Sequence, residues 1–487
     1  MRNISFPLLL AGVAISSSAM AQKAQKTVSK EAPVNFVIIN LDDMGYGDLT
    51  VTGASGYRTP NIDRLCAEGM RFTQFYAAQA VSSASRAGLL TGCYPNRIGF
   101  RGALVPGDSI NLKNEQTIGD ILCTKGYATA IIGKWHLGDK PEFMPLHHGF
   151  NYYFGLPYSN DMWPFNPNKA QEWPPLPLYE NDNVINVNVM PDDQRQLTTQ
   201  YTEHAVNFIN KSVASGKPFF VYLAHSMPHV PLYVSDKFEG KSKQGKYGDV
   251  MMEIDWSVGQ VVAALKDNKI EKRTLLIFTS DNGPWLCYGN HAGSTGGLRE
   301  GKGNSFEGGQ RVPCIIWQPG TVSPGIVNNA LLSAIDVLPT IADIAGANLP
   351  VKKIDGISFR SLLTGDGSEP SPRKDFLYYY RKNSLEAVRN DRFKLVFNHK
   401  GRSYEGFLPG NDGARGKVNE ERPFSRALYD LRRDPGERYN VYDQYPEVVA
   451  TLEAIAENAR QDLGDDLTGR EGTGRRLSGS VHNDKKK

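Results

Sequence analysis

Two acidic doublets, one serine-rich run and four separated cations carry the chemistry in this chain. Asp42-Asp43 and Asp281-Asn282 offer three carboxylates and a side-chain amide. Hard oxygen donors of this kind suit Ca²⁺ or Mg²⁺, and adjacent carboxylates repel without a cation. Asp-Asn-Gly is also a common turn sequence, so either doublet alone reads equally well as turn acids. Both doublets following apolar strands favours a metal. Ser82-Ser83-Ala84-Ser85-Arg86 precedes Ala87-Gly88-Leu89-Leu90-Thr91-Gly92. A helix opening there would turn free N–H groups toward an anion, with Arg86 compensating its charge; a Ser-rich N-cap fits the same residues. Lys134, His136, His229 and Lys302 could set positive charge on the oxygens of an anionic ester and supply a proton to a leaving alcohol. A single strand-end Lys or His is more often structural. His225 and His229 have a zinc-like spacing, but Pro228 between them opposes the helix that spacing needs.

One pattern positions these residues. Apolar runs at 36–41, 128–132, 219–224 and 275–279 lead into Asp42-Asp43, Lys134 and His136, His225 and His229, and Asp281-Asn282. Runs of this length fit strands buried on both faces, as in a largely parallel sheet. Ligands gather at the carboxyl ends of such strands, so the four endings predict one shared site. Thr59-Pro60 followed by Asp63 predicts a helix start. Met251, Ile254, Val258, Val261, Val262 and Leu265 keep helical spacing. The expected fold is α/β, a large, mostly parallel sheet sandwiched by helices. After the linker-like stretch at 365–372, strand candidates at 376–380, 386–388, 393–397 and 428–431 and a helix at 446–463 predict a smaller C-terminal α+β domain. The expected division is a signal peptide at 1–21, a catalytic domain at 22–367, a C-terminal subdomain at 368–467 and a mobile tail at 468–487.

Composition narrows the partners. With 55 Lys and Arg against 52 Asp and Glu, the 487-residue chain is close to neutral, and no basic block carries interleaved aromatics; nucleic acid is not an expected partner. Arg2, the apolar run at 6–15 and Ala19-Met20-Ala21 read as a secretory signal cleaved near Ala21. The mature chain is expected in the periplasm or secreted. The apolar run is too short for stable membrane insertion. Cys66, Cys93, Cys123, Cys287 and Cys314 lack zinc spacing, and their odd number leaves at least one thiol free.

In order, these motifs resemble the formylglycine-dependent sulfatases. The resemblance runs through Leu41-Asp42-Asp43-Met44-Gly45-Tyr46-Gly47-Asp48, the Ser82 to Gly92 signature, Gly133-Lys134-Trp135-His136-Leu137-Gly138, Pro228-His229-Val230-Pro231 and Ser280-Asp281-Asn282-Gly283. It continues through Gly301-Lys302-Gly303, Glu307-Gly308-Gly309-Gln310-Arg311-Val312-Pro313 and Leu428-Tyr429-Asp430-Leu431. Gly155-Leu156-Pro157-Tyr158-Ser159-Asn160-Asp161 is most similar to the arylsulfatase A and galactosamine-sulfatase branch. The resemblance implies an alkaline-phosphatase/sulfatase-like fold and a sulfuric ester hydrolase working through a covalent sulfoenzyme. Ser82 would be oxidised to formylglycine, Arg86 and Lys134 would stabilise its hydrate, and His136 would accept a proton. His229 and Lys302 would bind sulfate and assist the leaving group. Asp42, Asp43, Asp281 and Asn282 would hold Ca²⁺, with Mg²⁺ second.

Two positions depart from the commoner pattern. Ser82 stands where Cys is commoner, which implies a serine-type maturing enzyme acting before export. Ala84 replaces the commoner Pro. The implied substrate is a sulfated glycan, galactose or N-acetylgalactosamine, with the 4-position favoured over the 6-position. Asp161, His291 and Arg299 are candidate sugar-binding residues, and Trp163, Trp173 and Trp285 could stack on sugar faces. The alternatives are a phosphate or phosphonate monoester hydrolase of the same superfamily and a catalytically silent glycan-binding protein with unmodified Ser82.

Overall fold

The main sheet is built from β1 (Asn35–Leu41), β2 (Met70–Tyr76), β3 (Ala128–Gly133), β4 (Tyr152–Gly155), β5 (Leu178–Glu180), β6 (Asn183–Asn186), β7 (Phe219–Ala224), β8 (Thr274–Ser280), β9 (Arg311–Trp317) and β10 (Ile326–Ser333). Their spatial order is β10-β2-β9-β8-β1-β7-β3-β4-β5-β6. The computed structural model describes residues 32–168 and 173–479. The signal peptide expected at 1–21 and its cleavage point lie outside the described residues. No helix of the described chain is long and apolar enough to cross a membrane.

The central neighbours β8, β1, β7, β3 and β4 are all parallel. Antiparallel β9 lies between β8 and β2, and antiparallel β5 and β6 finish the other edge. All seven residues of β1 are buried. Phe36 and Ile38 point into one core with Leu89, Ile121 and Leu338, whereas Val37, Ile39 and Leu41 point into another with Leu197, Val258 and Leu265. Alternate side chains of a strand take opposite faces, so covering both faces demands the unbroken apolar runs seen in the sequence.

The helices that cover the sheet are α1 (Pro60–Glu68), α2 (Ser82–Thr91), α3 (Ile118–Cys123), α4 (Pro191–Ala214), α5 (Gly245–Asp267), the short α6 (Glu307–Gln310) and α7 (Val337–Ala345). Helices α2, α3 and α7 line the first core; α1, α4 and α5 line the second. Register aligns the strand ends. Leu41 pairs with Ser280, Asn40 with Ala224, and Ala224 with Gly133. The four expected chemical endings therefore emerge on one edge of the sheet.

The rest of the chain forms β11 (Asp375–Tyr380), β12 (Ser384–Asn390), β13 (Phe393–Val396), β14 (His399–Ser403), β15 (Asn419–Phe424), β16 (Ala427–Asp430) and α8 (Pro446–Leu463). β11-β12-β13-β16 is an antiparallel sheet, and β14 with β15 is a separate ribbon. Its core is shared with Tyr76, Leu331 and Ile335 of the main sheet region. Lys394 is fully buried in this joint, 3.2 Å from Glu307 and 2.8 Å from Glu437. The described part of the expected mobile tail is docked, which corrects that expectation for residues 468–479. Arg476 pairs with Glu115 at 2.8 Å, and its N–H donates to the Arg97 carbonyl at 2.6 Å. All five cysteines are free thiols.

Candidate active site

Ser82 is the first residue of α2, where a helix leaves its N–H groups without intrahelical partners. Its Oγ donates to Asp42 Oδ1 at 3.0 Å and lies 3.5 Å from Lys134 Nζ. Ser83 faces elsewhere, with its Oγ accepting from the Leu104 N–H at 3.0 Å. The far end of the motif closes the helix: Thr91 Oγ1 donates to the Ala87 carbonyl at 2.7 Å, and Gly92 takes φ +70° as its N–H caps the Gly88 carbonyl. The Thr-Gly pair thus ends the helix whose start presents Ser82.

Asp42 and Asp43 leave β1 at the centre of the edge. Asp42 Oδ2 accepts from Lys134 Nζ at 2.5 Å, and Lys134 also reaches Ser159 Oγ at 3.1 Å. Arg86 binds Asp281 through Nε and a terminal nitrogen at 3.0 and 2.9 Å, donates to the Lys134 carbonyl at 3.1 Å and lies 3.6 Å from Asp42. Asp43 accepts from Lys302 Nζ at 2.8 Å and from Asn282 Nδ2 at 2.7 Å. Its own N–H donates to Asp281 Oδ1 at 3.2 Å. Asp43 at φ +63° and His136 at φ +61° hold left-handed backbone that non-glycine residues seldom adopt. Such strain persists where surrounding contacts over-determine it, and it clusters at functional sites.

The two histidines are set in opposite senses. His229 Nδ1 meets the Val230 carbonyl at 2.5 Å and so must carry the proton; Nε2 accepts from Lys302 Nζ at 2.9 Å. His136 Nε2 meets the Leu104 carbonyl at 2.9 Å, which leaves Nδ1 as a buried lone pair with no protein partner. Burial, with Lys134 adding, pushes His136 well below the usual imidazole range. The ring is therefore held neutral, with Nδ1 as its free acceptor.

The electrostatics centre on the acids. Burial alone would raise Asp42, yet Lys134, His229 and Arg86 hold it well below the ordinary range. Burial and Asp42 push Asp281 up to about 6 against the pull of Arg86. Opposed shifts in neighbouring carboxylates are the pattern of like charges sharing one site. Oxygens of Asp42 and Asp43 converge with a His229 nitrogen within 4.8 Å. Asn282 Oδ1 is buried without a hydrogen-bond partner, although Nδ2 of the same amide is engaged. A hard cation among these oxygens would satisfy that atom and relieve the repulsion, so the donor set fits Ca²⁺ or Mg²⁺. His229 is the softer member of the converging group, and Lys302 already occupies its Nε2.

All ten residues expected in the metal and catalytic core therefore lie in one buried cluster: Asp42, Asp43, Ser82, Arg86, Lys134, His136, His229, Asp281, Asn282 and Lys302. The candidate sugar-binding residues divide. Asp161 stands near Lys302 with one buried oxygen unpartnered. His291 sits beside Lys246 and Asp412, with Nδ1 buried and unpartnered. The Arg299 guanidinium stacks 4.0 Å over Phe306 and binds Tyr429 and the Glu437 carbonyl, so it faces the C-terminal joint. Trp163 is fully buried and donates to the Val189 carbonyl, so it is packing. Trp285 keeps its place at the site, with Lys302 Nζ 4.5 Å from its ring. His225 is buried and bonded to Ser257, which removes it from any zinc pair with His229.

Sequence reasoning missed the supports. Ser159 orients Lys134, and its only signal is its place in the segment 155–161. Leu104 binds His136 and Ser83 through its backbone, which no side-chain pattern announces. Tyr404 Oη donates to the Lys302 carbonyl at 2.5 Å across about a hundred residues.

Comparison with known proteins gives matches over both parts of the chain. A family model described as Sulfatase matches residues 34–347, and one described as C-terminal region of aryl-sulfatase matches 371–471. Arylsulfatase A of Bos taurus is 38% identical over 87% of this chain and 86% of its own. N-acetylgalactosamine-6-sulfatase of Canis lupus familiaris is 35% identical over 88% of this chain and 85% of its own. The crystal structure of PsFucS1 sulfatase from Pseudoalteromonas sp. superposes with a TM-score of 0.78 at 30% identity, covering 88% of this chain and 91% of that one.

Proposed function

Because the chain belongs to the sulfatase family and is a sulfuric ester hydrolase, we propose that it removes sulfate from a galactose- or N-acetylgalactosamine-containing glycan, using formylglycine made from Ser82. The observation that carries this reading is Ser82 Oγ, 3.0 Å from Asp42 and 3.5 Å from Lys134 at the start of α2. An unmodified serine is a weak nucleophile unless a base activates it, and the nearest groups are a carboxylate held ionised by its cations and a lysine already paired to it. The hydrated aldehyde would supply one hydroxyl to attack sulfur and a second whose deprotonation expels sulfate.

Asp42, Asp43, Asp281 and Asn282 would hold Ca²⁺, with Mg²⁺ the alternative. When bound, the cation would add positive charge against the sulfate oxygens. The protein charges favour the same outcome. Three carboxylates stand against Arg86, Lys134 and Lys302, so a divalent cation leaves the cup net positive and suited to a sulfate ester. Lys134 and Arg86 would stabilise the hydrate, and His136 Nδ1 would accept its proton. Lys302 and His229 would bind the ester and return a proton to the departing sugar hydroxyl. Asp161 and Trp285 are the sugar contacts this reading retains.

We also take residues 22–367 as the catalytic domain, 368–467 as a subdomain that braces it, and residues 1–21 as a signal that exports the chain to the periplasm or beyond after a serine-type maturing enzyme has acted. The 4-position expected from the sequence competes with the 6-position carried in the names of the galactosamine-sulfatase relatives. Mass spectrometry of the Ser82 peptide, from protein made with its maturing enzyme, tests the nucleophile: oxidation removes two hydrogens, about 2 mass units. A panel of 4- and 6-sulfated galactosides beside matched phosphate esters tests the substrate. Unmodified serine in protein that still turns over at full rate would overturn the formylglycine reading. Faster phosphate than sulfate hydrolysis would overturn the substrate class.

A further inference from the structure

A second cationic feature lies beside the Ser82 centre, and the reaction just described does not use it. A pocket of about 220 Å³ is walled by Arg101 and Gly102, by Gly303, and by Arg381, Arg402 and Glu420. Its walls continue directly into the catalytic segments. Gly303 follows Lys302, and its N–H donates to the Ala80 carbonyl at 2.8 Å, two residues before Ser82. Gly102 lies two residues before Leu104, whose backbone contacts both Ser83 and His136. The pocket therefore lies against the segments that carry Lys302, Ser82 and His136, and Trp285 links the two, with Lys302 4.5 Å and Arg402 6.0 Å from its ring.

Its charge is lopsided. Glu420 is the single acid of the lining, and it is shared by Arg402 at 3.0 Å and Arg381 at 3.7 Å, with Arg415 behind at 3.3 Å. Arg101 is exposed and adds a third guanidinium to the lining. Three arginines face one carboxylate in the lining, and although Arg381 also pairs with Glu421 at 2.5 Å outside it, the small concave space keeps an excess of positive charge. Guanidinium groups recognise planar or tetrahedral oxyanions through paired N–H donors, and partial enclosure strengthens that attraction over the same pair in open solvent. Glu420 holds the arginines in place without neutralising them.

We propose that this pocket binds a second acidic group of the glycan, a further sulfate half-ester or a uronate carboxylate, next to the sulfate that is cleaved. The proposal rests on the carbohydrate reading above and narrows it to polyanionic glycans. The pocket selects among sulfated sugars by charge, while the Ser82 centre performs the cleavage.

The test uses full-length protein in two forms. In matured enzyme, kcat/KM is compared for a monosulfated galactoside, the same sugar with a second sulfate, and the same sugar linked to a uronate. A preference of about tenfold or more for a doubly anionic substrate is expected, one good charge-assisted contact being worth that much. The better of the two doubly anionic arms identifies the acidic group. Arg101→Gln and Arg381→Gln should each shrink the preference ratio toward unity, Arg101→Lys should retain part of it, and added salt should weaken it. In Ser82→Ala protein, calorimetry with the same three ligands reads binding apart from turnover and should show the same ranking. Equal kcat/KM for mono- and dianionic substrates, or a ratio unmoved in both glutamine variants, overturns the subsite. Cleavage of simple aryl sulfates with no binding of any galactoside would instead overturn the carbohydrate reading, and the subsite with it.

Discussion

Arg86 shows how much one residue of this site carries. It is fully buried, binds Asp281 through two nitrogens, approaches Asp42 and holds the Lys134 carbonyl. Arg86→Ala would strand the buried Asp281 without its ion-pair partner, which costs about 3–5 kcal/mol. We expect that loss as a lower urea midpoint at unchanged slope, with Arg86→Lys recovering only part of it because a lysine cannot reproduce the two-nitrogen grip. On the proposed Ca²⁺ reading, Asp43→Asn and Asn282→Ala, one from each doublet, should each raise the Ca²⁺ needed for half-maximal activity by about tenfold or more, since ligand number and charge set the affinity of such sites. A chelator titration of each purified variant reads this directly; an unchanged Ca²⁺ requirement would remove those side chains from the metal set. These residues were legible in the sequence because their types are costly to bury unless paired, and four of the segments that carry them follow apolar runs. The direction of Arg299 was not legible, because nearness in sequence to Lys302 does not fix it: its side chain turns to Phe306 and Tyr429.

At the scale of elements, the site depends on how tightly the strand ends approach. Gly133 closes β3 at φ +112°, and a Cβ there would lie 1.9 Å from the Ala224 carbonyl oxygen of β7. The next residues are Lys134 and the strained His136. Gly133→Ala is expected to cost more than about 3 kcal/mol, because backbone must move at a position that also forbids L side chains. Gly92→Ala provides the contrast. Its φ is +70°, but its nearest contacts begin at 3.4 Å, so only the left-handed strain applies, about 1–2 kcal/mol. Chemical denaturation of the two variants should rank them in that order, and equal losses would refute the steric argument. The central strands were readable because burial on both faces demands continuous apolar sequence. Of the six other strands of this sheet, β2 and β10 escaped because β2 mixes buried and half-buried residues and β10 carries Asn328 and Asn329 within it, and β4, β5 and β6 because they are only three or four residues long. Helix α4 was missed because its buried stripe includes Gln194, Thr198, Thr202 and Ser212, polar residues that dilute its periodicity.

Across the whole molecule, stability should depend on pH through buried histidines outside the candidate catalytic set. Burial pushes His148 down to about 4 and His225 down to about 3, against about 6.5 in an unfolded chain. Between those values the unfolded state binds more protons than the folded one. Stability is therefore full above pH 6.5 and falls as pH drops toward 4, by up to about 1.4 kcal/mol per pH unit per histidine. Denaturation midpoints of wild type, His148→Gln and His225→Gln at pH 7 and pH 5 check this; each variant should lose less stability between the two pH values than wild type does. The joint between the two sheets is similarly global. Lys394 stands between Glu307 and Glu437 with no exposure, so Lys394→Met should leave Glu437 without its cation and Glu307 with Arg311 alone, and destabilise both layers together.

Residue types and their order by themselves determined the reaction class, the four central strand endings and the register of the serine. Each of these rests on local chemistry: which side chains can hold a metal or an anion, which runs must be buried, and where a helix must close. Tertiary structure alone decided the direction of each side chain and the partners that tune it. Whether His136 presents a free nitrogen, which way Arg299 faces, and which arginines gather around Glu420 depend on segments brought together from up to 138 residues apart. Those contacts follow from sheet register and packing, which no short stretch of sequence encodes.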